Sequence, residues 1–199
     1  MLNVLMRSGG IAFLIYMAVI SQPGSSLFSF HPFLMTAAFT GLMTEALLIF
    51  SKSGLAAGAL HSTRVTIHWI LLLLTAVCHS LGFGAIYFNK ELNDKPHFTS
   101  WHGTIGLVAS VFLVLQLSVG VFAKYPNLLK MFMHARRVKA NHAVVGMLTF
   151  SLGMVATLLG FWSTWFANNS SAMVSYGFIG FHAVLLVIIV QKVLKKYVL

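Results

Sequence analysis

Apolar residues fill the chain in six runs, at approximately 4–21, 31–50, 65–88, 101–123, 141–166 and 174–193. Each is close to the ~20 residues an α-helix needs to cross a bilayer. Turn and helix-start chemistry punctuates them: Pro23-Gly24-Ser25, His31-Pro32 and Asn168-Asn169-Ser170-Ser171. The connections are short, so the pattern predicts an all-α polytopic membrane protein, one bundle of six transmembrane helices with no soluble domain attached. The first run, from about Leu2 to Ile20, has the position of a signal peptide. No clear small-residue cleavage site precedes the next run, and it is read as a retained span.

Composition agrees: only 8% of the 199 residues are charged, 58% are hydrophobic, and the mean hydropathy is +0.88, far from a soluble domain. The net charge of +10 does not indicate nucleic acid, because the basic residues sit in gaps between apolar runs and not on a polar, aromatic-interleaved face. Six spans place both termini on one side. With them fall Arg7, Lys52, Arg64, Lys124, Lys130, Arg136, Arg137, Lys139, Lys192, Lys195 and Lys196, while only Lys90 and Lys95 fall opposite. This asymmetry makes both termini cytoplasmic. Two overlapping sequons, at Asn168 and Asn169, then face the non-cytoplasmic side, as glycosylation requires. Lys195 and Lys196 resemble a dilysine retrieval signal set one place too far from the carboxyl end, and an endomembrane is the expected location. Cys78 is the sole cysteine, which excludes an intrachain disulfide and any cysteine-built zinc or iron–sulfur site.

Nine histidines against three acids is an unusual ratio for a chain that lies mostly in lipid. His31, His68, His102 and His142 each stand within about a turn of the predicted start of spans two to five. Successive spans run in opposite directions, so His31 and His102 belong near the non-cytoplasmic face and His68 and His142 near the cytoplasmic one. For any one of them, a hydrogen bond to a neighbouring carbonyl explains the residue as well as a ligand role. Four at matched positions favour function, and the positive end of a helix dipole keeps an imidazole neutral and available to metal. Di-iron sites need carboxylates and zinc needs further protein ligands; haem needs one imidazole above the ring and one below. Gly146, Gly153 and Gly160 lie within about 40° of His142 on a helical wheel, and Gly106 and Gly120 stand likewise to His102. Such stripes serve either a flat macrocycle or close helix packing.

The segments "FHPFLM", "TEALLIF", "IHW", "SWHG" and "ANHAVVG", in this order, resemble the transmembrane cytochrome b561 family. The resemblance implies a single domain over residues 1–199, with a four-helix core holding two haem b groups. It implies that His31 and His102 hold the non-cytoplasmic haem and His68 and His142 the cytoplasmic one, and that cytosolic ascorbate donates electrons to a ferric chelate or monodehydroascorbate across the lipid bilayer. Homodimerisation is implied by the likeness alone. With a hydrocarbon core of about 30 Å and each histidine about a turn inside, the irons are expected ~15–20 Å apart. Two axial imidazoles leave iron no open position, which fits one-electron relay.

Around these ligands, Arg64 and Lys139 are candidates for the anionic cytoplasmic donor, and His97 and Lys95, with Trp101, for the outer acceptor; topology and an interfacial belt explain the same residues. Glu45 is read as a counter-charge to Arg64 or Lys52, ahead of a partner of the inner haem. His79 packs between the two levels, His182 sits mid-span, and His61 and His134 lie in cytoplasmic loops, all with structural or solvated roles. The rival reading is a histidine-lined proton or metal-ion transporter, which requires polar residues through the midplane; Gln116 and scattered Ser and Thr form no continuous route.

Overall fold

In a computed structural model, which describes residues 2–51, 54–129 and 134–197, six long helices follow one another without a strand among the described residues. They are α1 (Leu2–Ser21), α2 (Leu27–Leu48), α3 (His61–Glu91), α4 (Trp101–Lys124), α5 (Ala135–Gly160) and α6 (Ala172–Tyr197). Each contains a stretch long and apolar enough to cross a membrane. Lys52 and Lys130 lie outside the described residues, as does the side chain of Lys196.

Two antiparallel pairs form the centre. α2 packs along α3 and α4 along α5, while α1 leans on α2, and α6 on α5. Phe39 and Met43 of α2 meet Phe150 and Met154 of α5 and Leu185 and Ile189 of α6 in the middle of the bundle. The outward faces carry the opposite pattern: Leu81 is 59% exposed and Val114 63%, as expected where hydrocarbon is the solvent.

The helix ends depart from the apolar runs. α2 begins at Leu27, where Ser26 caps it through a reciprocal bond with Ser29. α3 begins at His61 and α5 at Ala135, several residues before the predicted 65 and 141. α5 stops at Gly160 instead of 166; a turn capped by Ser163 leads into a separate six-residue helix, Thr164–Asn169. The early starts have a physical reason: hydropathy marks the edge of the hydrocarbon, whereas a helix continues into polar sequence for as long as its backbone bonds are satisfied; the early stop comes from the Ser163 cap, which starts a new helix inside the apolar run. His68 and His142 consequently stand about two turns inside their helices, not one. The dipole argument therefore applies to His31 and His102 and not to this inner pair.

The middle of α2, Thr36–Met43, is a π-helix. Pro32 lies one turn before it and has no N–H to give. The Thr36 hydroxyl bonds the Pro32 carbonyl at 2.8 Å, and the Thr44 hydroxyl reaches back five residues to the Phe39 carbonyl at 3.1 Å. From α6, His182, fully buried, fixes the same segment: its Nδ1 donates to the Phe178 carbonyl (2.7 Å), which leaves Nε2 to accept from the Thr40 hydroxyl (3.1 Å).

Candidate functional site

The four histidines come together as two pairs, each joining one helix of the α2/α3 pair to one of the α4/α5 pair. The rings of His31 and His102 have centres 6.0 Å apart at an interplanar angle of 86°, and those of His68 and His142 are 6.3 Å apart at 83°. The orienting bonds run within each helix pair. His31 Nδ1 bonds the Gly82 carbonyl of α3 (3.0 Å) and His68 Nδ1 the Ala46 carbonyl of α2 (2.8 Å). His102 Nδ1 bonds the Ala156 carbonyl of α5 (2.8 Å). A carbonyl only accepts, so in these three rings Nδ1 carries the proton and Nε2 keeps its lone pair. His142 is the exception: its Nδ1 faces the side-chain amide of Gln116 on α4, with Nε2 of that amide at 2.9 Å.

The partners follow one arithmetic. Gly82 lies fourteen residues after His68, Gln116 fourteen after His102 and Ala156 fourteen after His142. At 1.5 Å per residue this is a rise of about 21 Å, slightly beyond the sequence expectation for the separation of the two levels. In α2 the partner, Ala46, is the fifteenth residue after His31. The π turn accommodates the surplus, since such a turn amounts to one residue inserted into an α-helix. It also turns Glu45 away. The expected pairing of Glu45 with Arg64 is not found among the described residues, and Lys52 lies outside them: Glu45 accepts from Arg7 Nε of α1 at 2.7 Å, and Arg64 bonds the carbonyls of Ala57 and Ala59 in the loop before α3.

A metal ion bonded at about 2 Å to the near nitrogen of each of two imidazoles sets their ring centres about 6 Å apart. Both pairs match that spacing, with Nε2 as the nitrogen left free in three of the four rings. Among the described residues no three His, Cys, Asp or Glu side chains group into a site, so a metal held here would take its other ligands from a macrocycle. These donor sets fit a bis-imidazole haem.

The glycine faces divide. A Cβ on Gly160 would stand 3.3 Å from the His102 ring and one on Gly120 3.3 Å from the His142 ring, so both give the imidazoles room. Gly146 makes way for the Gln116 amide, whose nitrogen a Cβ would meet at 2.7 Å, and Gly153 makes way for the ring of Phe39. Gly106 faces open space and lines a cavity of about 290 Å³ that contains both His31 and His102.

Phe28, Met35, Phe39, His79, Phe83 and Phe98 also line this cavity, and Tyr87, Lys90 and His97 stand among its walls. His79, expected between the two levels, lines the outer cavity, where it bonds Ser110 at 2.9 Å and stacks on Phe83. His97 stacks on Tyr87 with centres 4.4 Å apart and bonds Glu91 at 2.8 Å. Lys95 is exposed and forms no part of the wall; Lys90 does, with its Nζ on the Pro96 carbonyl. At the other end Lys139 is exposed, and Lys124 lies 4.7 Å over the Trp69 ring. Sequence reasoning missed the Arg7–Glu45 pair and the role of Gln116, although the fourteen-residue offset from His102 was there to be counted.

The sequence model of eukaryotic cytochrome b561 matches residues 30–167. The chain is 43% identical over 167 residues to transmembrane reductase CYB561D2 of Bos taurus, covering 83% of this chain and 75% of that protein. Against the protein of the same name from Homo sapiens it is 42% identical with the same coverage. It is 30% identical over 188 residues to probable transmembrane reductase CYB561D1 of Mus musculus, 94% of this chain and 82% of that one. No solved structure matches. The match across spans two to five and the helical pairing of their histidines lead to one assignment: the chain belongs to the eukaryotic cytochrome b561 family of haem-binding transmembrane electron carriers.

Proposed function

We propose that the protein is an ascorbate-dependent transmembrane oxidoreductase with two b haems, one held by His68 and His142 and the other by His31 and His102. It takes single electrons from cytosolic ascorbate and delivers them to a ferric chelate or monodehydroascorbate on the far side. The observation that carries this reading is the pair of facing imidazoles, 6.0 and 6.3 Å apart, repeated at two levels of one bundle. When bound, each haem supplies a one-electron couple with no open position for oxygen.

The residues of the chain do the rest. Carbonyl acceptors on Nδ1 fix ring orientation and make Nε2 a stronger donor. Between the levels, Phe39, Met43, Phe150 and Met154 fill the interior and exclude water, which supports electron relay over the transporter reading and its polar midplane. Both termini face the cytoplasm by the basic asymmetry. Arg64 and Lys139 stand at that end, where positive charge concentrates an anionic donor. His97 and Lys90 mark the opposite mouth, with Lys95 in the adjoining loop. An endomembrane is the proposed location and a homodimer the proposed assembly.

The test is spectroscopic. Purified protein should carry two haems per chain and show a b-type spectrum reducible by ascorbate; His31→Ala and His68→Ala should each remove one centre. Haem-free but folded wild-type protein refutes the reading, and loss of neither centre refutes the pairing.

A further inference from the structure

Three of the four rings are oriented by groups that can only accept a hydrogen bond; the fourth is not. Gln116 is 5% exposed. Its Nε2 lies 2.9 Å from His142 Nδ1 and 2.7 Å from the His142 carbonyl, while its Oε1 is buried and has no hydrogen-bond partner among the described residues. An amide N–H directed at Nδ1 requires a lone pair there, and a neutral ring then carries its proton on Nε2. That is the atom a metal needs. A ligating Nε2 leaves the ring proton on Nδ1, so the group facing Nδ1 must accept, and of the two ends of the amide only Oε1 can.

We propose that Gln116 is the positioning residue for His142. With Nε2 as the ligand the ring proton stands on Nδ1, and the amide turns to present Oε1 to it. The turn gives the buried oxygen a partner, at the cost of the bond to the His142 carbonyl, and because the amide Nε2 lies 2.7 Å from that carbonyl oxygen the amide must also shift so that Oε1 clears it, two acceptors repelling; the carbonyl lies inside α5 and keeps its place in the helix ladder. Room for the motion comes from Gly146, where a Cβ would stand 2.7 Å from the amide nitrogen. The inner pair thus contains one ring set by a side chain, and the outer pair none. This inference rests on the di-haem reading above.

The experiment uses purified holoprotein in detergent, with Gln116→Glu and Gln116→Leu compared by redox titration and electron paramagnetic resonance. A carboxyl group presents an oxygen to Nδ1 in either protonation state, so Gln116→Glu should hold the binding tautomer and lower the potential of the centre that His68→Ala removes. Gln116→Leu offers no acceptor and should raise the potential of that same centre or empty it. The other centre should not move in either variant. If Gln116→Leu loses the inner haem, Gln116→Glu decides, since it must keep two haems with the inner potential lowered. Unmoved potentials, both centres shifting alike, or the two variants shifting the inner centre in one direction would overturn the proposal. Those results leave the di-haem reading intact, whereas wild-type protein without haem would remove that reading and this inference with it.

Discussion

The two ends of the bundle hold matched ring pairs in unmatched surroundings. At the outer end both imidazoles are set by backbone carbonyls and stand in one open, aromatic-walled cavity. At the inner end one imidazole is set by a carbonyl and the other by a side-chain amide, and the neighbouring helix start carries Arg136, Arg137 and Lys139. The difference teaches that ring spacing is a property of helix packing, while ring electronics and access are decided by what lies behind and beside each ring.

Single substitutions separate the ends. The largest effect is expected from Gly160→Val and Gly120→Val, because even a first carbon would press on the His102 and His142 rings respectively at 3.3 Å. Each should cost about 1–3 kcal/mol and diminish only its own centre, read as haem content per chain. A Gly160 variant that alters both centres equally would break the comparison. Next comes Arg7→Ala, which strands Glu45 beside Ala46, the residue that orients His68. With both side chains about one-fifth exposed, a loss of about 2 kcal/mol is expected, between surface and buried ion pairs. Thermal unfolding in detergent measures it, and only the inner spectrum should shift. The smallest effect is that of Lys139→Gln on an exposed side chain: a rise of about two- to fivefold in KM for an anionic donor, fading as salt screens the rim, with kcat unchanged.

How far the sequence reaches can be judged residue by residue. Six apolar runs and alternating helix direction suffice to bring His31 toward His102 and His68 toward His142, because period and direction are local and cumulative. Helix ends are less legible, as the start of α5 at Ala135 shows: hydropathy reports the solvent, not the hydrogen bonds. The partner of Glu45 is not legible at all from an ideal wheel, since fourteen residues at 100° put it on the His31 face, and only the π turn moves it to Arg7. The cavity wall poses a similar problem: Lys90 stands in the last turn of α3 and Lys95 in the loop just after it, and the local path of the chain decides which of them reaches the site.

That π turn reaches beyond its own helix. By spending one additional residue between His31 and Ala46, α2 keeps the vertical distance of its companions yet rotates the phase of everything downstream, steering a carboxylate off the face that carries His31 and onto an arginine. Polarity around the inner ring is thereby governed by a miscount in the backbone, a lever that no exchange of side chains at the ring itself would reproduce.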